Sequence, residues 1–128
     1  MKRHLLLAAV MILAGSLTAA AAFLTSAADL SGTWIFSVDL DSGGHGDPTF
    51  VLKQEGDKLT GNYNGPLGEQ KVTGTVTGSK AVFGFEFSSD GQTVKATYTA
   101  TVETAEKMSG TVEFSGGPKG KWTATRKQ

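Results

Sequence analysis

The sequence predicts an all-β protein, an eight-stranded antiparallel up-and-down β-barrel that follows an N-terminal signal peptide. Three observations predict it. From about residue 29 onward apolar and polar residues alternate, the period-two pattern of half-buried strands. Turn signals, most of them glycine-containing, interrupt that alternation at nearly regular spacing. One five-residue pattern also recurs: an apolar residue, a hydroxyl residue, a glycine, a small polar residue and a large apolar residue. It is written "LSGTW" (Leu30 to Trp34), "LTGNY" (Leu59 to Tyr63), "VTGTV" (Val72 to Val76) and "MSGTV" (Met108 to Val112).

The chain begins "MKRH", a short basic start, and continues in an apolar run from Leu5 to about Leu24 broken only by Ser16 and Thr18. Small residues follow in "TSAADL". This is the layout of a secretory signal, with cleavage after Ala28 between the small residues, or earlier after Ala22. The same run approaches the roughly 20 residues that cross a bilayer, so an uncleaved membrane anchor is the competing reading. Residues 1–28 are thus read as signal peptide and 29–128 as a single β-barrel domain. The location implied is secreted or periplasmic.

The strands read in order. In "FVLKQ", Phe50 and Leu52 share one face, and Val51 and Lys53 share the other. In "AVFGFEF", Ala81, Phe83, Phe85 and Phe87 line one face. In "VKATYTATV", Val94, Ala96, Tyr98, Ala100 and Val102 oppose Lys95, Thr97, Thr99 and Thr101, and β-branched threonine suits a solvated sheet surface. Turns fall near Gly56, Gly65, Gly78, Gly91, Ala105 and Gly116, with the longer "DSGGHGDP" after the first strand. Those connections leave no room for a long Greek-key crossover. A meander closed on itself removes its edges, with an open sandwich as the alternative. In this reading Gly61, Gly74 and Gly110 stand on the inward face. An interior glycine weakens a strand unless it marks a bend or a close backbone approach, and small barrels need such coiling points.

Composition excludes several functions. There is no cysteine, which removes disulfides, thiolate nucleophiles, Cys-ligated zinc and lipid attachment through an N-terminal cysteine. With Lys2 and Arg3 set aside, ten basic residues remain against twelve acidic ones, a net charge of −2. The basic residues are scattered, so no nucleic-acid footprint or polybasic membrane patch is expected. An outer-membrane barrel would turn its apolar residues outward and carry aromatic girdles at strand ends, whereas here the aromatics fall mid-strand.

Gly32-Thr33-Trp34 and Arg126 in "KWTATRKQ" resemble the calycin group of small secreted barrels, which includes lipocalins, fatty-acid-binding proteins and avidins. The resemblance implies that the indole of Trp34 closes one end of the barrel and that Arg126 packs over it as a cation–π pair. Within the group, "LSGTW" and "LTGNY" look most like the first and third strands of the avidins. The comparison implies that Tyr63 stands for the tyrosine that helps bind the biotin ureido oxygen. Met108 stands where avidins carry a biotin-contacting tryptophan. Phe36 and Gly65 replace an asparagine and a serine of the avidin set, so biotin is not the expected ligand.

No catalytic constellation is present, and the protein is expected to be a non-enzyme without cofactor. His45 lies near Asp39, Asp41 and Asp47 in the first loop. Those residue types suit a divalent cation, yet Phe50 stands where an EF-hand needs its bidentate glutamate, and a solvated loop without metal is the reading adopted. The predicted interior is aromatic, and Phe36, Phe50, Tyr63, Phe83, Phe85, Tyr98, Met108 and Phe114 are the candidate ligand-binding residues. An eight-stranded barrel can be filled by side chains or can hold one small ligand. The function expected is therefore binding of a small apolar molecule inside the barrel. The alternative is a structural, protein-interaction or inhibitory barrel with a filled core and an unknown protein partner.

Overall fold

The computed structural model describes residues 29–127 and is all-β among them. The strands are β1 (Gly32–Leu40), β2 (His45–Gly46), β3 (Thr49–Glu55), β4 (Lys58–Gly65), β5 (Gly68–Thr77), β6 (Lys80–Ser89), β7 (Gln92–Thr104), β8 (Lys107–Phe114) and β9 (Lys119–Arg126). Each long strand pairs antiparallel with the next, and β1 pairs with β9 from Trp34↔Arg126 to Leu40↔Gly120, which closes the barrel. The expected meander of eight long strands is present. The signal peptide expected at residues 1–28 lies outside the described residues.

The added strand is β2, two residues within "DSGGHGDP". The β1–β3 ladder runs only from Gly32↔Leu52 to Ile35↔Thr49, and β2 then takes up Val38 and Asp39 of β1. The long first loop thus folds back as a patch on a wall that β3 has left. Two-residue turns join most other strands. At Ser89–Gln92 the connection is Asp90-Gly91, with φ of 53° and 79°, the mirror-image turn whose twist matches that of the strands it joins.

The recurring glycine has a direct structural cause. A Cβ placed on Gly61 would fall on the carbonyl oxygen of Val51, one on Gly74 on that of Val82, and one on Gly110 on that of Thr99. At each point the neighbouring strand curls over the glycine, so the wall can coil tightly enough to close.

The wall is uneven. The β6–β7 ladder runs unbroken from Lys80↔Thr101 to Ser89↔Gln92, whereas the β5–β6 ladder stops at Thr73↔Gly84. In an antiparallel ladder alternate residues address the same neighbour. Counting from the hairpin at Gly78-Ser79, the backbone groups of Glu69 and Lys71 in β5, and of Glu86 and Ser88 in β6, face this seam without a ladder partner. Charged side chains at such an edge, here Glu69, Lys71 and Glu86, discourage pairing with another chain.

The inward faces meet as one aromatic core. Phe36 stacks on Phe50 at 4.2 Å and on Trp122 at 4.6 Å between ring centroids. Tyr98 lies parallel to Phe83 at 5.6 Å and meets Phe50 edge-on at 5.1 Å. Offset and edge-on contacts of this kind are the favoured aromatic geometries. Phe36, Phe50, Phe83, Tyr98 and Met108 are all buried, and so is Leu30, which precedes β1. The outer face is polar and rich in threonine, with Ile35, Val51 and Val82 as its exposed large apolar residues.

Candidate functional site

The antiparallel order places the start of β1, the end of β9 and the turns at Gly56, Gly78 and Ala105 at one end of the barrel. The loops 41–48, 66–67, 90–91 and 115–118 lie at the other. The two ends differ in construction.

At the first end Trp34 is fully buried, and its indole N–H donates to the Leu30 carbonyl at 3.0 Å. The Arg126 guanidinium carbon lies 4.4 Å from the indole ring centroid. Its three nitrogens donate to backbone carbonyls of Ala105, Ser31 and Asp29 at 2.9, 2.5 and 3.0 Å. Gly32 has a φ of +134°, which favours glycine, and a Cβ there would lie 2.7 Å from Arg126 Nη1 and push the guanidinium aside. Leu30 N–H donates to Gln54 Oε1 at 2.9 Å, and Gln54 N–H donates to Ser31 Oγ at 3.0 Å. The Asp29 carboxylate accepts from Ser31 N–H at 3.0 Å, which lowers its pKa. This end is shut by side chains that bond across the strand ends.

The other end is open. A pocket of about 770 Å³ opens between its loops. Val38 and Leu40 of β1, Phe87 of β6, Val94 of β7 and Phe114 of β8 supply an apolar wall. Pro48, Pro66 and Leu67 add apolar groups from the loops. Tyr63 and Tyr98 reach the pocket from the core below. His45 and Asp90 bring charge to the mouth, and Gln92, Ser89 and Ser115 bring neutral polar groups.

Of the eight residues expected to contact a ligand, Tyr63, Tyr98 and Phe114 line this pocket. The other five do not. Phe36, Phe50, Phe83 and Met108 are buried below it, and Phe85 packs against Tyr63 at 4.4 Å between ring centroids. Of the lining residues that sequence reasoning left out, Pro48, Pro66 and Leu67 come from loops and Leu40 from the last position of β1. A usable signal existed in "GPLGE", where Leu67 is a large apolar side chain in a two-residue turn that otherwise has no reason to carry one.

The two tyrosines are the polar groups nearest the core. Tyr63 Oη accepts from Leu67 N–H at 3.4 Å, which leaves its own proton free to donate. Burial raises the Tyr63 pKa, and the bond from Leu67 partly offsets that rise. Tyr98 is 2% exposed and makes no hydrogen bond among the described residues. Burial, and then the neighbouring Tyr63, push its pKa up, so both hydroxyls stay protonated at neutral pH.

At the mouth His45 bridges two carboxylates, with Nδ1 2.7 Å from Asp39 Oδ1 and Nε2 3.0 Å from Asp47 Oδ1. These bonds, that to Asp39 first, raise the histidine pKa. Both ring nitrogens are committed to carboxylates, and Asp41 takes no part in the bridge. No group of three or more His, Cys, Asp or Glu among the described residues is arranged to hold a metal ion.

No protein-family model matches the chain, and no curated protein matches it. Solved structures do. A redesigned β-barrel superposes with a TM-score of 0.66 at 17% identity, covering 77% of this chain and 92% of its own. A de novo designed fluorescence-activating β-barrel follows at 0.60 and 15%, covering 77% and 94%. The redesigned barrel mFAP1, bound to DFHBI, gives 0.59 and 20%, covering 76% and 94%. At these identities the likeness establishes the fold, an eight-stranded antiparallel barrel.

Proposed function

We propose that this protein is an exported, non-enzymatic binding protein that takes one small, mostly apolar molecule in the pocket at the open end of its barrel. The observation that carries this reading is the pocket itself: about 770 Å³, walled by Val38, Leu40, Leu67, Phe87, Val94 and Phe114, with tyrosine hydroxyls near its base. Few convergent polar groups in an apolar cleft of this size are what small-molecule sites have in common. Among barrels of the same fold, mFAP1 is bound to a small molecule, DFHBI, which supports the reading by analogy of architecture. The basic start and apolar run at residues 1–28 support export to a secreted or periplasmic location. The Gly32-Thr33-Trp34 motif with Arg126 over the indole supports a calycin-like kinship.

A second reading has its own observation. Below the pocket the barrel is filled by Phe36, Phe50, Phe83 and Trp122, which suits a structural or protein-interaction barrel with no ligand. Native mass spectrometry of the protein recovered from its own export compartment separates the two. A small adduct lost on denaturation is the expected result. A bare mass from folded protein would turn the search to protein partners of the outer surface.

A further inference from the structure

The side chain of Tyr98 is 2% exposed, yet its hydroxyl has no hydrogen-bond partner among the described residues. No buried side-chain nitrogen or oxygen among the described residues lacks a hydrogen bond. Tyr98 makes none, so its oxygen is not sealed in the core and must meet the pocket that its side chain lines. The ring is held on three sides, parallel to Phe83 at 5.6 Å and edge-on to Phe36 at 5.9 Å and Phe50 at 5.1 Å. Its direction is therefore set before any ligand arrives. A ring that only filled the core could be phenylalanine; here the ring carries a hydroxyl to the pocket surface, where the polar group of a ligand can meet it.

Charge narrows the ligand further. No lysine or arginine lines the pocket. The charged groups at its mouth are Asp90 and His45, and His45 is committed to Asp39 and Asp47. An anion in the pocket would therefore meet the Asp90 carboxylate and find no lysine or arginine to pair with. The Tyr63 oxygen already accepts from Leu67, so its proton is the group it has left to offer first, and a neutral phenol is in general the better donor than acceptor.

Building on the binding reading above, we infer that Tyr98 is the polar anchor of the pocket and that its ligand is a neutral, apolar molecule carrying a hydrogen-bond acceptor such as a carbonyl. The apolar body lies against Phe87, Val94, Phe114 and Leu67, and the acceptor points down to Tyr98 Oη.

The test uses a fluorescent ketone, 6-propionyl-2-(dimethylamino)naphthalene, with its propyl analogue as the probe lacking the acceptor and its carboxylate analogue as the anion. The protein should bind the ketone with the red-shifted emission of a hydrogen-bonded carbonyl. Tyr98→Phe should weaken the ketone by about five- to tenfold, the loss of one neutral hydrogen bond, and leave the propyl analogue unchanged or tighter. The carboxylate should bind at least about tenfold more weakly than the ketone, since it would be desolvated without a counter-ion. Ketone and propyl probes that bind equally well to both proteins would overturn the anchor and leave the pocket standing. A hydrocarbon-like emission of the bound ketone in the unsubstituted protein would do the same without any variant. A carboxylate that binds as well as the ketone would overturn the neutral class. Failure of every probe to bind folded protein would remove the pocket reading and the anchor together.

Discussion

At the Trp34 end of the barrel the indole, the Arg126 guanidinium and the Gln54 amide knit the strand ends together, while at the other end four loops surround a pocket of about 770 Å³. Both ends are reached by the same alternating strands, and both receive large apolar side chains. The difference lies in what crosses the opening. At the closed end a single arginine on the last strand reaches three carbonyls contributed by the N-terminal segment and the β7–β8 turn. At the open end the bonds run within one loop or between two neighbouring strand ends: Leu40 N–H to Gly44 O at 2.8 Å, the His45 bridge to Asp39 and Asp47, Asp41 N–H to Lys119 O at 2.8 Å, and Lys95 N–H to Ser115 Oγ at 2.9 Å. A long side chain with several donors ties several strand ends at once; these single bonds each join two. One end is thus built for stability, which leaves the other free to vary.

Trp34→Ala tests this contrast most severely. The variant empties a buried indole site and strands the Leu30 carbonyl, and the expected cost is about 3 to 5 kcal/mol in denaturant unfolding. Retention of most of the stability would mean that the closed end does not hold the fold. Gly32→Ala is next. It forces a side chain onto a backbone at φ +134° and into the guanidinium of Arg126, with an expected loss of about 1 to 3 kcal/mol. Its Trp34 fluorescence should also shift as the arginine leaves the ring.

Leu67→Ala approaches the same contrast from the open side. Leu67 is only partly buried, so its removal should cost under about 1 kcal/mol of stability yet weaken an apolar probe several-fold. A stability loss as large as that of Trp34→Ala would erase the distinction between the ends.

The smallest expected effects carry opposite signs with pH. The folded-state pKa of Asp29 is lowered, chiefly by the Ser31 N–H. Its contribution is complete above the ordinary value near 3.8 and is lost as the pH falls through the lower folded value. The folded-state pKa of His45 is raised, chiefly by Asp39. Its contribution is complete below the ordinary value near 6.5 and is lost as the pH rises through the higher folded value. Amide protection, the intrinsic exchange rate relative to the observed rate at each pH, should accordingly fall at Leu30 and Ser31 in acid, and at Gly44 to Asp47 toward alkaline pH. Both groups are exposed, so a shift in global unfolding of the size expected for Gly32→Ala would contradict the assignment of these effects to local contacts.

Much of the fold was legible before the structure. Alternation sends Phe83 inward and Val82 outward, and both do so because period two admits only one side for each residue. The glycines of "LTGNY", "VTGTV" and "MSGTV" announced closure, because only a coiled wall brings neighbouring backbone so near. Two-residue β2 was not legible. It exists because β3 begins only at Thr49 and so covers β1 no further than Ile35, a matter of long-range register rather than of local pattern. The seam between β5 and β6 was hidden for the same reason, since "EQKVT" and "FEFSS" read as ordinary strands.

The candidate site divides along the same line. Residue order alone settled which side chains point into the barrel, because the side-chain direction of a strand follows from its own backbone. The height of each side chain along the barrel axis was decided only by tertiary structure. Phe36 and Phe114 are both inward aromatics, yet Phe36 is sealed in the core while Phe114 stands at the pocket wall. Height depends on strand stagger, and stagger is set when eight strands close on one another. The loop residues Pro66 and Leu67 became a wall only because closure set their hairpin over the mouth. Composition determined an aromatic interior; the assembled barrel decided which of those rings fill it and which line the open pocket.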